Sequence, residues 1–398
     1  MTKAAGTLRH IPLSIWALGF VSLLMDVSSE MIHSLLPVFM VTVLGTPVLV
    51  IGLIEGGAEA TALIVKIFSG VLSDHWNKRK PLAILGYGLG AISKPLFALA
   101  TSAGFVLTAR ILDRIGKGIR GAPRDALVAD LAPQELRGAA FGLRQALDTV
   151  GAFLGPLLGI ALMLLWANDF RAVFWVAIIP AFLAVALLLF GVQEPPRQAG
   201  TVRTNPIRKH NLKRLSPAYW RVVVIGAVFT LARFSEAFLV LRALQGGMAV
   251  AYAPLVLIVM NVMYAAGAYP FGKLSDRMSH SRLLTWGLVV LIAADGLLAV
   301  SNQWPWVWVG ILLWGVHMAM TQGLLAAMVA ATAPADLRGT AFGFFNLLSG
   351  IALLIASGLA GLLWDQLGAS FTFASGAVFS LFALGLILLN YGAPRIPA

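Results

Sequence analysis

The chain has 398 residues, of which 59% are hydrophobic and 12% charged, against roughly half and a quarter in a soluble domain. That much apolar surface cannot be hidden inside an aqueous globule, so lipid must cover it. The net charge is +12 and there is no cysteine, which excludes disulfides and thiolate metal sites.

Nucleic acid is the obvious partner for a basic chain, but the placement of the charge argues against it. Lys and Arg gather in alternate loops: Lys78, Arg79 and Lys80; Arg137; Arg197 to Arg214; Arg277 and Arg282; Arg338. Arg171 and Arg242 are the main exceptions. This positive-inside pattern places both termini and the long central loop in the cytoplasm of a multi-pass, inner-membrane protein.

Twelve apolar runs follow one another, and all are expected to be helices, because open strands cannot satisfy their backbone groups in lipid. Span 1, about 12–42, begins after Lys3 and Arg9 and reads as a retained span, not a cleaved signal. It carries Asp26 and Glu30 one turn apart, with His33 three residues on. Span 2 adds Glu55 and Glu59, again at i, i+4. Span 3 contains Lys94 before Pro95, expected to snorkel or to form a structural pair.

Span 4 is the least expected segment. Arg110, Asp113, Arg114, Lys117, Arg120, Arg124 and Asp125 share one helix face, opposite Leu112, Ile115, Ile119, Ala122 and Ala126. A charge at bilayer depth costs several kcal/mol unless it is paired or wet. This face must look into the protein, either as an ion-pair network or as a site for substrate and protons. Span 5 holds Arg144 and Asp148 one turn apart, with Gly142, Gly151, Gly155, Pro156 and Gly159: a Gly-lined face with a Pro kink.

The segment 193–218 is rich in Pro and basic residues and reads as a cytoplasmic linker between bundles at 1–192 and 219–398. Span 7 has Arg233 and Glu236, and Ser235-Glu236 sits where Ser29-Glu30 sits in the first half. Asp295 in span 9 is placed near the outer surface, as incidental. Span 10 offers His317, Thr321 and Gln322, after an interfacial belt at Trp304, Trp306 and Trp308.

The two halves repeat. Ala132–Gly142 matches Ala333–Gly343, and Gly70–Asp74 matches Gly272–Asp276. One unit is therefore built twice in the same direction, as in transporters.

Gly70, Asp74, Lys78 and Arg79 follow the loop signature of the major facilitator superfamily, with His75 and Asn77 departing from it; Gly272, Asp276 and Arg277 keep part of it. The span-5 glycines resemble the motif of that superfamily's antiporters, with Ile160 in place of the last Gly. Arg110 and Gly118 fit its span-4 pattern, although Arg114 stands where Gly is usual. The resemblance covers nearly the whole chain. It implies two six-helix bundles that rock about a central hydrated cavity, with Asp74, Lys78, Arg79, Asp276 and Arg277 at a cytoplasmic gate. Asp74 would lie near Gly339, where a helix N-terminus favours a carboxylate.

Proton coupling is expected at Asp26, Glu30, Arg110, Asp113 and Arg114, with Asp26 or Glu30 paired to Arg110 or Arg114. The cavity would be lined by His33, Glu55, Glu59, Lys117, Asp148, Arg233, Glu236 and His317. The expected function is export of a small charged or amphiphilic solute in exchange for protons, by a monomer without cofactors. Divalent-metal export through Asp26, Glu30, His33 and His317, and proton-coupled symport, remain alternatives. No nucleophile elbow, phosphate loop or metal-protease helix points to an enzyme.

Overall fold

A computed structural model describes residues 11–76, 79–194, 214–275, 277–301, 303–321, 323–334 and 337–389. Lys78, Asp276 and Gln322 lie outside these residues, and the side chain of Asp74 lies outside those described. The described chain is helical. The first half runs α1 Leu13–His33, α2 Leu36–Thr42, α3 Val48–Trp76, α4 Arg79–Leu99, α5 Ala103–Leu131, α6 Arg137–Leu165 and α7 Phe170–Gly191. The second runs α8 Pro217–Leu231, α9 Ala237–Gln245, α10 Leu255–Ser275, α11 His280–Val300, α12 Trp304–Thr321, α13 Leu324–Thr332, α14 Arg338–Leu367 and α15 Ala369–Leu389.

Local chemistry sets these boundaries. Ser102 accepts the Phe105 N–H at the start of α5, and Asp169 accepts those of Arg171 and Ala172 at the start of α7. Ser216 accepts the Tyr219 N–H, with Pro217 opening α8. Each supplies a partner to a helix-end donor that would otherwise have none. Gly323, at φ +85°, starts α13 in a left-handed conformation that a side chain would resist.

Among the described residues, ten helical segments are long and apolar enough to cross a membrane. The expected spans 4 and 7 are not among them, for different reasons. Span 4 is α5, long enough at 29 residues but heavily charged. Span 7 is split into α8 and α9 at residues 232–236, which include Arg233 and Glu236. Large apolar side chains stand exposed on the outside: Phe190 at 87%, Phe382 at 63% and Trp286 at 59%. Water would not tolerate so much exposed apolar surface, and this is an integral, multi-pass membrane protein.

The structure divides into two compact units, one drawn from Met1–Phe39 and Thr61–Thr204, the other from Met40–Ala60 and Asn205–Ala398. In the first, α1 packs on α6 and α7, and α4 on α5 and α7. Its core includes Ile15, Leu18, Val21, Met25, Tyr87 and Leu188. In the second, α11 packs on α12 and α15, α10 on α12, and α8 on α14 and α15. Tyr219, Leu284, Leu288 and Val329 are central to its core.

The first half of α3 packs on α14 within the second unit, through small residues. A methyl at Gly361 would stand 2.6 Å from Leu49 Cα, and one at Gly56 2.9 Å from Leu354 Cα. Such contacts bring two helix backbones together. At the end of this seam the Asp365 carboxylate accepts the N–H groups of Val48 and Leu49, at 3.1 and 2.8 Å. It thus caps α3 from another helix. Asp365→Ala is expected to cost about 1 kcal/mol, the usual worth of a helix cap, and thermal unfolding in detergent should show it.

Candidate functional site

The first unit encloses a chain of ionic side chains, and glycines explain why it forms. α4 and α5 meet at Gly86, Gly90 and Gly116: a methyl at Gly86 would stand 2.7 Å from Gly116 O, and one at Gly116 would stand 2.9 Å from Gly90 N. One turn beyond Gly90 on α4 lies Lys94. Three residues before Gly116 on α5 lies Asp113. The close approach sets the two side by side.

Lys94 is fully buried. Its Nζ donates to Asp113 Oδ1 at 2.7 Å and to Ser29 Oγ at 2.9 Å. The other oxygen, Asp113 Oδ2, lies 3.4 Å from His33 Nε2 and 3.9 Å from Arg114 Nε. Arg114 Nη2 is 3.3 Å from His33 Nδ1. A guanidinium can only donate, so Nδ1 accepts, and the ring proton resides on Nε2, facing Asp113. Glu30 Oε1 stands 3.9 Å from the same Nδ1. Spans 1, 3 and 4 thus share one network, with Asp113 at its centre.

A second network lies nearby. Arg124 reaches Asp125 at 3.1 Å and Asp148 at 3.7 Å; Arg144 reaches the same two carboxylates at 3.8 and 3.7 Å. Asp26 faces Asp148, with Arg120 and Lys117 as further neighbours. Asp26 forms no ion pair within 4 Å among the described residues. Arg120 is buried over the Tyr87 ring, 4.8 Å from its centroid, whereas Lys117 is exposed.

The span-5 glycines belong to this site. A methyl at Gly151 would stand 2.5 Å from Leu23 O and 3.1 Å from Asp26 Cβ. One at Gly155 would stand 2.8 Å from Val27 O and 2.9 Å from Glu30 Cβ. The glycine face of α6 therefore lies against the acidic turn of α1. Pro156 lies inside α6 and Gly159 is buried, whereas nothing is within 4 Å of a methyl at Gly142.

The expected pairing of Asp26 or Glu30 with Arg110 or Arg114 is not what is seen. Asp113 takes the closest cation, and that cation is Lys94. Of the two roles expected for Lys94, burial leaves the pair. Arg110 is buried on the same face of α5, and Glu30 is half-buried. Glu55 and Glu59 fall in the segment that packs within the second unit.

The second unit has its own cluster. Arg233 lies over the rings of Phe229 and Trp314, 5.8 Å from each centroid. His317 is fully buried, with Nδ1 2.8 Å from Gly287 O. Glu236 lies at the start of α9. Asp295, read from the sequence as incidental, is fully buried and accepts the Trp314 indole N–H at 2.9 Å.

Of the expected gate residues, Arg79 is held inside the first unit. Its guanidinium pairs with Asp130 at 2.5 Å and donates to Ala126 O. Its backbone N–H donates to Glu194 Oε1 at 2.6 Å. Arg277 is exposed.

Comparison with known proteins agrees with this architecture. The family model described as Major Facilitator Superfamily matches residues 18–242 and 247–398. An uncharacterized MFS-type transporter of Methanocaldococcus jannaschii is 34% identical, over 96% of this chain and 95% of its own length. The multidrug resistance protein MdtH of Aeromonas hydrophila is 26% identical, over 87% of this chain and 86% of its own. The crystal structure of a mutant of the nucleoside transporter NupG superposes with a TM-score of 0.79 at 13% identity, covering 95% of this chain and 99% of that one; this is likeness of fold.

Proposed function

The chain belongs to the major facilitator superfamily, and on that premise we propose that it is a proton-coupled antiporter exporting a small charged or amphiphilic solute across the inner membrane. The observation that carries this reading is the contact of Gly151 and Gly155 with the turn holding Asp26 and Glu30. The antiporter-like glycine face and the span-1 acids form one structural feature. Export also accords with the name of the MdtH relative.

Antiport needs a group for which proton and solute compete. Asp26 meets that need. It lacks an ion pair among the described residues, is half-buried and faces Asp148. Two facing carboxylates repel when both are charged. A proton relieves that repulsion, and so does a cationic solute, but not both together. The Lys94–Asp113–His33 network is the rigid support that fixes span 1 beside them. A lipophilic cation is the solute chemistry this exchange favours.

The competition can be read with ethidium as the probe. Its binding to purified protein should weaken by roughly tenfold for each pH unit below the carboxyl midpoint, as one-proton linkage requires. Asp26→Asn should abolish that pH dependence. Binding that is unchanged by pH in the wild type, or equally pH-dependent in the variant, would contradict the assignment.

One observation favours a second reading, symport of an anion. The single lone pair of His33 Nδ1 is taken by Arg114 at 3.3 Å. A proton arriving there breaks that contact and adds positive charge beside Arg114, so proton and anion bind together. Salicylate binding that tightens at acid pH and depends on His33 would select this reading. For metal export, no group of three or more His, Cys, Asp or Glu among the described residues is arranged to hold a metal ion.

A further inference from the structure

The second unit buries a carboxyl that the exchange proposed above does not use. Asp295, on α11, has no solvent exposure. Oδ1 accepts the Trp314 indole N–H at 2.9 Å, and Oδ2 has no hydrogen-bond partner. The space beside Oδ2 is closed. A methyl at Gly376 of α15 would stand 2.5 Å from Oδ2 and 3.0 Å from Phe234 Cε1. On that side the backbone of α15 lies directly against the carboxyl.

No neighbouring charge pairs with this carboxyl among the described residues. α11 packs against α12, α13 and α15. α13 and α15 carry no ionisable side chain. α12 brings His317, bound through Nδ1 to the α11 carbonyl of Gly287. Two guanidinium groups lie in this region: Arg233 stands over the Trp314 ring, and Arg242 donates to the α11 carbonyl of Leu298 and to Ser301 O; neither forms an ion pair within 4 Å of Asp295 among the described residues. A bare carboxylate in such a place costs several kcal/mol, and a neutral carboxylic acid far less. One indole donor and one unpartnered oxygen suit the neutral acid.

We propose that Asp295 is a proton-binding site of the second unit, occupied in the arrangement seen here. The step needs no co-reactant: the carboxylate oxygen takes a proton from solvent hydronium, which is left as water, and becomes a hydroxyl. Gly376 is what allows the acid to be packed dry, and Trp314 is the positioning residue that orients it. The site is separate from Asp26, so either assignment can fail alone.

Infrared spectroscopy of the purified protein in lipid nanodiscs tests this at neutral pH. The difference spectrum between wild type and Asp295→Asn should show loss of a carboxylic-acid carbonyl band that shifts in D2O. Asp26→Asn should leave that band in place. Trp314→Phe should move it to higher frequency, because the carbonyl loses its indole donor; this arm also serves if the Asn variant does not fold. Loss of carboxylate bands in place of the acid band, or a Trp314→Phe effect confined to carboxylate bands, would overturn the proposal.

Discussion

Lys94→Met should destabilise the protein by about 3–5 kcal/mol, the cost of removing one partner from a buried ion pair. Lys94 is fully buried and its ammonium is 2.7 Å from Asp113. Without it, Asp113 keeps Arg114 at 3.9 Å and His33 at 3.4 Å, neither as close. The loss should appear as a lower melting temperature in detergent and a reduced yield of monodisperse protein. The double change Lys94→Met, Asp113→Asn should recover most of it, because the orphaned charge goes as well. A single variant that melts with the wild type would contradict the support that the Lys94–Asp113 pair gives the network.

Gly151→Val should reduce transport at least as severely as it affects stability. The first added carbon would lie 2.5 Å from Leu23 O and 3.1 Å from Asp26 Cβ, so α1 or α6 must move. A displacement of about 1 Å at a reacting group can cost about a hundredfold in rate. Gly142→Val is the matched control, since nothing among the described residues beyond its own helix lies within 4 Å of a methyl there. Ethidium flux in proteoliposomes should fall by about a hundredfold for Gly151→Val and stay near wild type for Gly142→Val. Equal effects at the two positions would reduce the motif to generic helix packing.

Much of the fold was legible because its signals are local. The repeat, the alternation of basic loops and the charged face of span 4 can all be read along one strand of text. Asp26 and Glu30 share a face by the pitch of a helix alone. The pairing of those charges was not legible, because it depends on which helices approach closely. Gly86 and Gly90, four residues apart in span 3, were the available clue: with Gly116 they bring α4 against α5 and place Lys94 at Asp113. The partner of Asp295 was hidden for a related reason. Position along a span gives depth, but the rotation that turns its carboxyl toward Trp314 is set by packing among α11, α12 and α15. Arg79 carries a gate signature in sequence, and its contacts with Asp130, Ala126 and Glu194 depend on the same kind of packing.

Proton exchange at Asp26 is most directly tested by pH-gradient-driven ethidium transport in proteoliposomes held at zero membrane potential. Wild type should move ethidium against its concentration gradient, with proton flow in the opposite sense, and should lose this uphill flux when a protonophore is added. Asp26→Asn should lose it without a protonophore while still exchanging ethidium downhill. Uphill transport that survives the protonophore, or that Asp26→Asn performs as well as wild type, would contradict the account.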